Sequence, residues 1–120
     1  MLYNRGALNA MLEAEAIRTA QEKFGKRPLT GEEVQWGLEN LNLTAERIKE
    51  IGFEGFIAPL KISCRDHVGG GKIRIQKWDG KKWVWASDWL ESDRDMVRPM
   101  IEEAAAQYAK EKGITPRDCK

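Results

Sequence analysis

Lys72-Ile73-Arg74-Ile75-Gln76-Lys77-Trp78-Asp79-Gly80-Lys81-Lys82-Trp83-Val84-Trp85-Ala86 is the stretch on which the fold class turns. Two alternating runs flank Asp79-Gly80, a pair suited to a two-residue type I′ turn in which both central residues take positive φ. The pattern predicts a hairpin over 72–78 and 81–86. Ile75 then faces Val84 and Ile73 faces Ala86, while Gln76 faces Trp83 and Arg74 faces Trp85 on the other side. One face is aliphatic and the other aromatic with cations above it, so both are expected to be covered, as against helices.

Working outward, Asp66 to Gly71 reads as a loop with three consecutive glycines. Before it, Gly52, Gly55 and Pro59 interrupt any helix, and a strand is expected over 58–63. The N-terminal half is helical. Ala10, Ala14, Ile17 and Phe24 define one face of a helix over 5–24, widened by Leu8, Met11 and Leu12, and Gly25 stops it. Thr30-Gly31-Glu32-Glu33 has the form of a capping box and opens a helix over 31–41, with Val34, Leu38 and Leu41 inward. Thr44 caps a third helix over 45–51, with Leu43 and Ile48 at staple positions. A last helix over 97–112 carries Met100, Ile101, Ala104, Ala105 and Tyr108 and ends at Gly113, with Pro99 accommodated in its first turn. The chain is thus expected to be helical in its first half, with a short β middle and a helical end.

Composition narrows the function less than the fold. The chain has 120 residues, 42% of them hydrophobic and 32% charged, which describes a globular domain. Twenty Lys+Arg against 19 Asp+Glu leave a net charge of +1, too weak a field to point to nucleic acid or an acidic membrane. No apolar run approaches the ~20 residues needed to cross a bilayer, so no membrane insertion is expected. Met1 to Gly6 lacks the features of a signal peptide.

Few residues offer chemistry. One His67 and two cysteines 55 positions apart do not make a zinc or iron site, and no cofactor or metal is expected. His67 lies in Arg65-Asp66-His67-Val68-Gly69 without a nucleophile motif beside it and reads as a structural or solvated loop residue. Gly69-Gly70-Gly71 lacks the Lys-Ser/Thr ending of a phosphate loop. Glu32-Glu33 and Glu102-Glu103 lie on helix exteriors, so no acid–base pair is assembled and the chain is not expected to be an enzyme. Trp78, Trp83, Trp85 and Trp89 cluster in and after the hairpin, where they could stack on exposed bases or a sugar, although the net charge favours cover for a small sheet or a surface that meets a partner. Cys64 and Cys119 stand either as two thiols or as one bridge that would pin the C-terminal tail.

The order of segments carries a resemblance. Tyr3-Asn4-Arg5-Gly6-Ala7-Leu8-Asn9-Ala10-Met11-Leu12 leads to Glu15-Ala16-Ile17-Arg18-Thr19-Ala20, then Pro28-Leu29-Thr30-Gly31-Glu32 and Trp36-Gly37-Leu38-Glu39. Gly52-Phe53-Glu54-Gly55-Phe56, Asp66-His67 and Trp78-Asp79-Gly80 follow. Over almost the whole chain this series resembles the C-terminal third of the periplasmic branched-chain amino-acid-binding proteins of ABC transporters, the Leu/Ile/Val-binding type with a type I periplasmic binding fold. The resemblance implies a fragment of a two-lobed α/β protein. Residues 1–63 would form the C-terminal part of one lobe, and residues 64–120 the hinge crossing, terminal hairpin and C-terminal helix of the other.

It implies a non-catalytic solute-binding component, periplasmic although this chain shows no signal peptide. Its partners would be a branched-chain amino acid or similar small solute and an ABC permease. Tyr3 and Arg5 would border the ligand cleft, with Arg5 able to meet a carboxylate through paired N–H donors. Export of the parent would favour a Cys64–Cys119 disulfide. Lobe surfaces left open in a fragment would favour a homo-oligomer. The alternative reading is a small independent binding module that uses the Trp-rich hairpin for protein or nucleic-acid contact, and the net charge argues against nucleic acid.

Overall fold

The computed structural model describes residues 2–119. Residues 1 and 120, the outer ends of the expected segments 1–63 and 64–120, lie outside the described residues. The chain divides into two compact units, one up to Gly70 and one from Gly71. It combines helices with two separate two-stranded antiparallel sheets.

The first unit holds α1 (Leu2–Phe24), α2 (Gly31–Glu39), β1 (Asn42–Leu43), α3 (Ala45–Glu50) and β2 (Leu60–Lys61). Thr30 and Glu33 close a full capping box at the start of α2, and the Thr44 hydroxyl accepts from the Arg47 N–H at 3.2 Å to start α3. Thr30→Ala is expected to destabilise the protein by about 1 kcal/mol, read as a lower urea midpoint with an unchanged slope.

α2 stops two residues short of the expected 41, because the Asn40 side chain donates to the Trp36 carbonyl at 2.8 Å and takes over the helix end. The next three residues then run extended, with Leu41 and Leu43 buried and Asn42 outward between them. This strand was not anticipated. It pairs Asn42 with Lys61 and Leu43 with Leu60, and the Ile62 N–H donates to the Leu41 carbonyl at 2.9 Å. The strand expected over 58–63 is correspondingly short, Leu60–Lys61. Pro59 has no N–H to enter the ladder, and Ser63 turns back through reciprocal backbone bonds with Asp66 at 3.0 Å.

Met11, Leu41, Leu43 and Ile48 form the core, with Leu8, Leu12, Ile51, Phe53, Ile57, Leu60 and Ile62 packed on it. The buried face of α1 differs from the one expected. Met11, Glu15, Ala16 and Ala20 are buried, whereas Ala10, Ala14 and Ile17 are exposed. Small size, rather than hydrophobicity alone, sets this face, because α2 lays Gly37 directly on Ala16 and Ala20. At the far end of the helix pair the Phe24 and Trp36 rings meet edge to face at 5.4 Å.

The second unit holds β3 (Gln76–Trp78), β4 (Trp83–Trp85) and α4 (Arg94–Lys112). The hairpin exists, but its register is two residues from the expected one: Gln76 pairs with Trp85, Lys77 with Val84 and Trp78 with Trp83. Asp79 keeps a negative φ, so a type I′ turn does not form. Instead its carboxylate accepts from the N–H groups of Lys81 at 2.8 Å and Lys82 at 2.9 Å, closing a longer loop over 79–82. Those bonds hold the Asp79 carboxyl below its ordinary range.

A slip of two leaves every side chain on its expected face, so Trp78, Trp83 and Trp85 still share one side. The expectation that both faces are covered fails: the three tryptophans, Ile73 and Ile75 are all exposed. A ladder of three residue pairs is too small a platform for a second layer.

α4 begins at Arg94 rather than 97. The Asp93 carboxylate accepts from the Met96 N–H at 3.0 Å and starts it three residues early. Pro99 therefore lies inside the helix, beyond the first turn. Gly113 ends it in the left-handed conformation at φ 64°. None of its described residues is buried.

Candidate functional site

A cavity of about 260 Å³ opens in the first unit, lined by Gln35, Leu38, Glu39, Ile62 and His67. α2 supplies three of the five, because positions 35, 38 and 39 fall on one side of a helix at spacings of three and four. Ile62 follows β2. Leu38 and Ile62 make an apolar floor, and Glu39, Gln35 and His67 make a polar rim.

The rim is built by local hydrogen bonding. Gln35 Nε2 donates to Glu39 Oε1 at 3.1 Å. His67 Nε2 stands 3.4 Å from the same oxygen, an ion pair when the imidazole is protonated. The carboxylate is withdrawn, with its side chain 14% exposed, while the His67 side chain is 66% exposed. His67 is presented by a tight turn: Asp66 N–H donates to Ser63 Oγ at 3.1 Å, and Asp66 Oδ1 accepts from the N–H groups of Val68 at 3.2 Å and Gly69 at 3.3 Å. Gly69 adopts φ +77°, and a Cβ there would lie 3.0 Å from Ile62 Cγ1 and 3.2 Å from the Lys61 carbonyl oxygen. Glycine thus lets the turn lie on β2 and aim His67 at α2.

A second polar cluster in this unit is structural. Glu15, 6% exposed on α1, accepts from Arg47 Nε at 2.8 Å and Nη2 at 2.7 Å and from Arg18 Nε at 3.1 Å. The Arg47 hydrogen bond is the main cause of a lowered Glu15 pKa, opposed by burial and assisted by Arg18. Arg47 is held further above its own high value, chiefly by Glu15 and then Glu50.

Of the residues singled out in the sequence, Tyr3 and Arg5 lie exposed on the first turns of α1, Tyr3 at 86%, and neither lines the cavity. Cys64 and Cys119 are both disulfide-bonded, and no described cysteine is free. Iodoacetamide is therefore expected to label neither cysteine before reduction and both after it, read by peptide mass mapping. His67, read as a structural or solvated loop residue, is the one that reaches the cavity. Glu39 carried no sequence signal, because its partner is 28 positions away and only the turn at Ser63–Asp66 brings it close. Among the described residues no group of three or more His, Cys, Asp or Glu is gathered to hold a metal ion.

No family model matches the chain, and no curated protein matches it. Among solved structures the match is strong. The chain is similar to a solved ABC transporter permease from the Pseudomonas fluorescens group. The two share 55% identity with a TM-score of 0.92, over 98% of this chain and 28% of the permease chain. The chain thus spans a little over a quarter of the length of the structure it matches.

This finding corrects four expectations. The resemblance to periplasmic branched-chain amino-acid-binding proteins cast the permease as a partner, but here a permease is itself the similar structure. The solute-binding assignment for branched-chain amino acids falls with that resemblance, and so does the description as a substrate-binding protein. A permease works in the membrane, so the periplasmic location is overturned as well. The alternative, an independent module using the Trp-rich hairpin, gains no support from a match that runs through both units. No helix among the described residues is long and apolar enough to cross a membrane.

Proposed function

We propose that this chain is a non-catalytic part of an ABC transporter component of the permease kind. The observation that carries the reading is the match over 98% of the chain at 55% identity and a TM-score of 0.92. Its proposed partners are the other components of that transporter and the small solute it moves. Exposed apolar surface on the second unit supports this reading. Met96, Met100, Ile101 and Tyr108 on α4 and Trp78, Trp83 and Trp85 on the hairpin stay in solvent, a concentration of large apolar side chains that a partner surface would cover. In the assembly these faces pack on the rest of the transporter. We further propose that the two units are portions of a larger α/β body, that Cys64 pairs with Cys119, and that Tyr3 and Arg5 face the solute.

The test is made in the source cell with a tagged chain. Mild detergent extraction should recover an ATP-hydrolysing ABC subunit with it, and disruption of the gene should lower uptake of at least one solute in a labelled panel. Arg5→Ala should lower that uptake without moving the thermal midpoint. Recovery without any ABC subunit, together with unchanged uptake after disruption, would sink the proposal.

A further inference from the structure

We propose that the tip of the β3–β4 hairpin, residues 77–83, docks at the headgroup level of a bilayer that contains anionic phospholipid, without crossing it. The inference stands on the second unit alone. It goes beyond the transporter reading, which assigns the hairpin face to protein, by adding a lipid contact at the end of that face. Three observations carry it.

The first is charge. The net charge of +1 conceals an uneven distribution: Lys77-Trp78-Asp79-Gly80-Lys81-Lys82-Trp83 holds three lysines and one acid. The Asp79 carboxylate is engaged by the backbone N–H groups of Lys81 at 2.8 Å and Lys82 at 2.9 Å. Among the described residues none of the three lysines has an ion-pair partner, whereas Lys72, before β3, is paired with Glu91. Local positive charge of this kind complements the negative potential of an anionic leaflet.

The second is the aromatic pair. Trp78 and Trp83 close the ladder beside the loop. They are 55% and 64% exposed, more than Trp85 at 47%, whose ring the Arg74 guanidinium covers at 4.3 Å. The Trp78 and Trp83 rings meet at 5.8 Å and 65°, so they are ordered together ahead of binding, which reduces its cost. An indole joins an apolar body to an N–H donor and settles at the membrane–water boundary.

The third is shape. Side chains alternate along β3, so Lys77 stands on the face opposite Trp78, and the loop over 79–82 carries Lys81 and Lys82 between the two tryptophans. The tip is a protrusion with basic groups around an aromatic centre. A lipid surface accepts a protrusion without a matching groove, and lysine stems lie along its apolar boundary while their ammonium groups reach phosphates.

The probe is vesicles of phosphatidylcholine and phosphatidylglycerol in equal parts, titrated into the purified full chain and followed by tryptophan emission and co-sedimentation. Saturable binding with a blue shift is expected, at least about tenfold tighter than to phosphatidylcholine alone and weaker as salt is raised. Free glycerol phosphate should not compete. Lys81→Gln combined with Lys82→Gln should weaken binding about 20–30-fold, near fivefold for each charge removed. The same exchange at Lys110 and Lys112 on α4 should leave it nearly unchanged, and Trp78→Ala with Trp83→Ala should remove most of the blue shift. The lipid series on the unaltered chain decides the matter even if a variant misfolds. No saturable binding to the mixed vesicles, equal binding to phosphatidylcholine alone, competition by glycerol phosphate, an equal emission shift with polyglutamate, or an equal loss in the folded Lys110 and Lys112 variant would each overturn the proposal.

Discussion

Gly37→Ala is expected to destabilise the protein by about 3 kcal/mol or more, although the same exchange in an open helix position is a gain of about 1 kcal/mol. A Cβ built on Gly37 would lie 2.2 Å from the Ala16 carbonyl oxygen, 3.0 Å from the Ala16 carbonyl carbon and 3.0 Å from Ala20 Cβ. Two of these three atoms belong to backbone, so no side-chain rotation relieves the clash and α1 must move from α2. Gly6→Ala is the control. It also lies within a helix, but a Cβ there meets nothing within 4 Å, so a gain of about 0.5–1 kcal/mol is expected. Urea unfolding of the two variants should shift the midpoint in opposite directions. A Gly37→Ala protein as stable as the parent would show that the helices do not pack this closely.

Glu15→Ala is expected to cost about 2–3 kcal/mol, measured by urea unfolding near neutral pH. Removing one partner of a fully buried pair costs about 3–5 kcal/mol. Here the arginines keep some access to water, Arg47 at 25% and Arg18 at 42% side-chain exposure, and can partly resolvate, which lowers the figure. Glu15→Gln keeps the shape and loses the charge, so it should fall between the two.

The pH dependence has a definite sign. The folded-state pKa of Glu15 is lowered, mainly by the Arg47 hydrogen bond. Its stabilisation is therefore fully present above the ordinary carboxylate range and is lost as pH falls below that range through the lowered folded value. The stability gap between the parent and Glu15→Gln should be constant from neutral pH down to about 5 and should close in acid. A gap that widened on acidification would contradict the assignment.

Local signals in the chain were read with different success, for identifiable reasons. Thr30 and Thr44 marked helix starts because a cap is a contact between residues three apart, visible in any sequence window. Asn40 ended α2 before the expected residue because its side chain competes for the Trp36 carbonyl, an interaction that hydrophobic spacing does not register. Leu41-Asn42-Leu43 carried the two-residue alternation of a half-buried strand, but three residues are too few to stand out beside a helix. Asp79-Gly80 placed the hairpin correctly and its register wrongly, since the choice between a two-residue and a four-residue loop depends on the Asp79 side chain and on the sign of its φ.

The candidate site was less legible than the fold. Gln35, Leu38 and Glu39 could be placed on one helix face from their spacing, but nothing in the chain linked that face to His67. Glu15 fell on the buried face of α1 although an acid is normally assigned to solvent, because Arg47, 32 positions later, supplies the charge that makes burial tolerable.

The sequence by itself determined several local elements: where Thr30 and Thr44 start α2 and α3, where Gly25 and Gly113 end α1 and α4, and where the chain turns at Asp79-Gly80. Caps, terminators and turns act over a few bonds, and their energies are written in neighbouring residues. Only the tertiary structure decided that Gly37 faces Ala16 and Ala20, that Glu15 is buried against Arg47, and that His67 meets Glu39. Those pairings join residues 17 to 32 positions apart, and what fixes them is the packing of α1, α2 and the β1–β2 ladder around one small core.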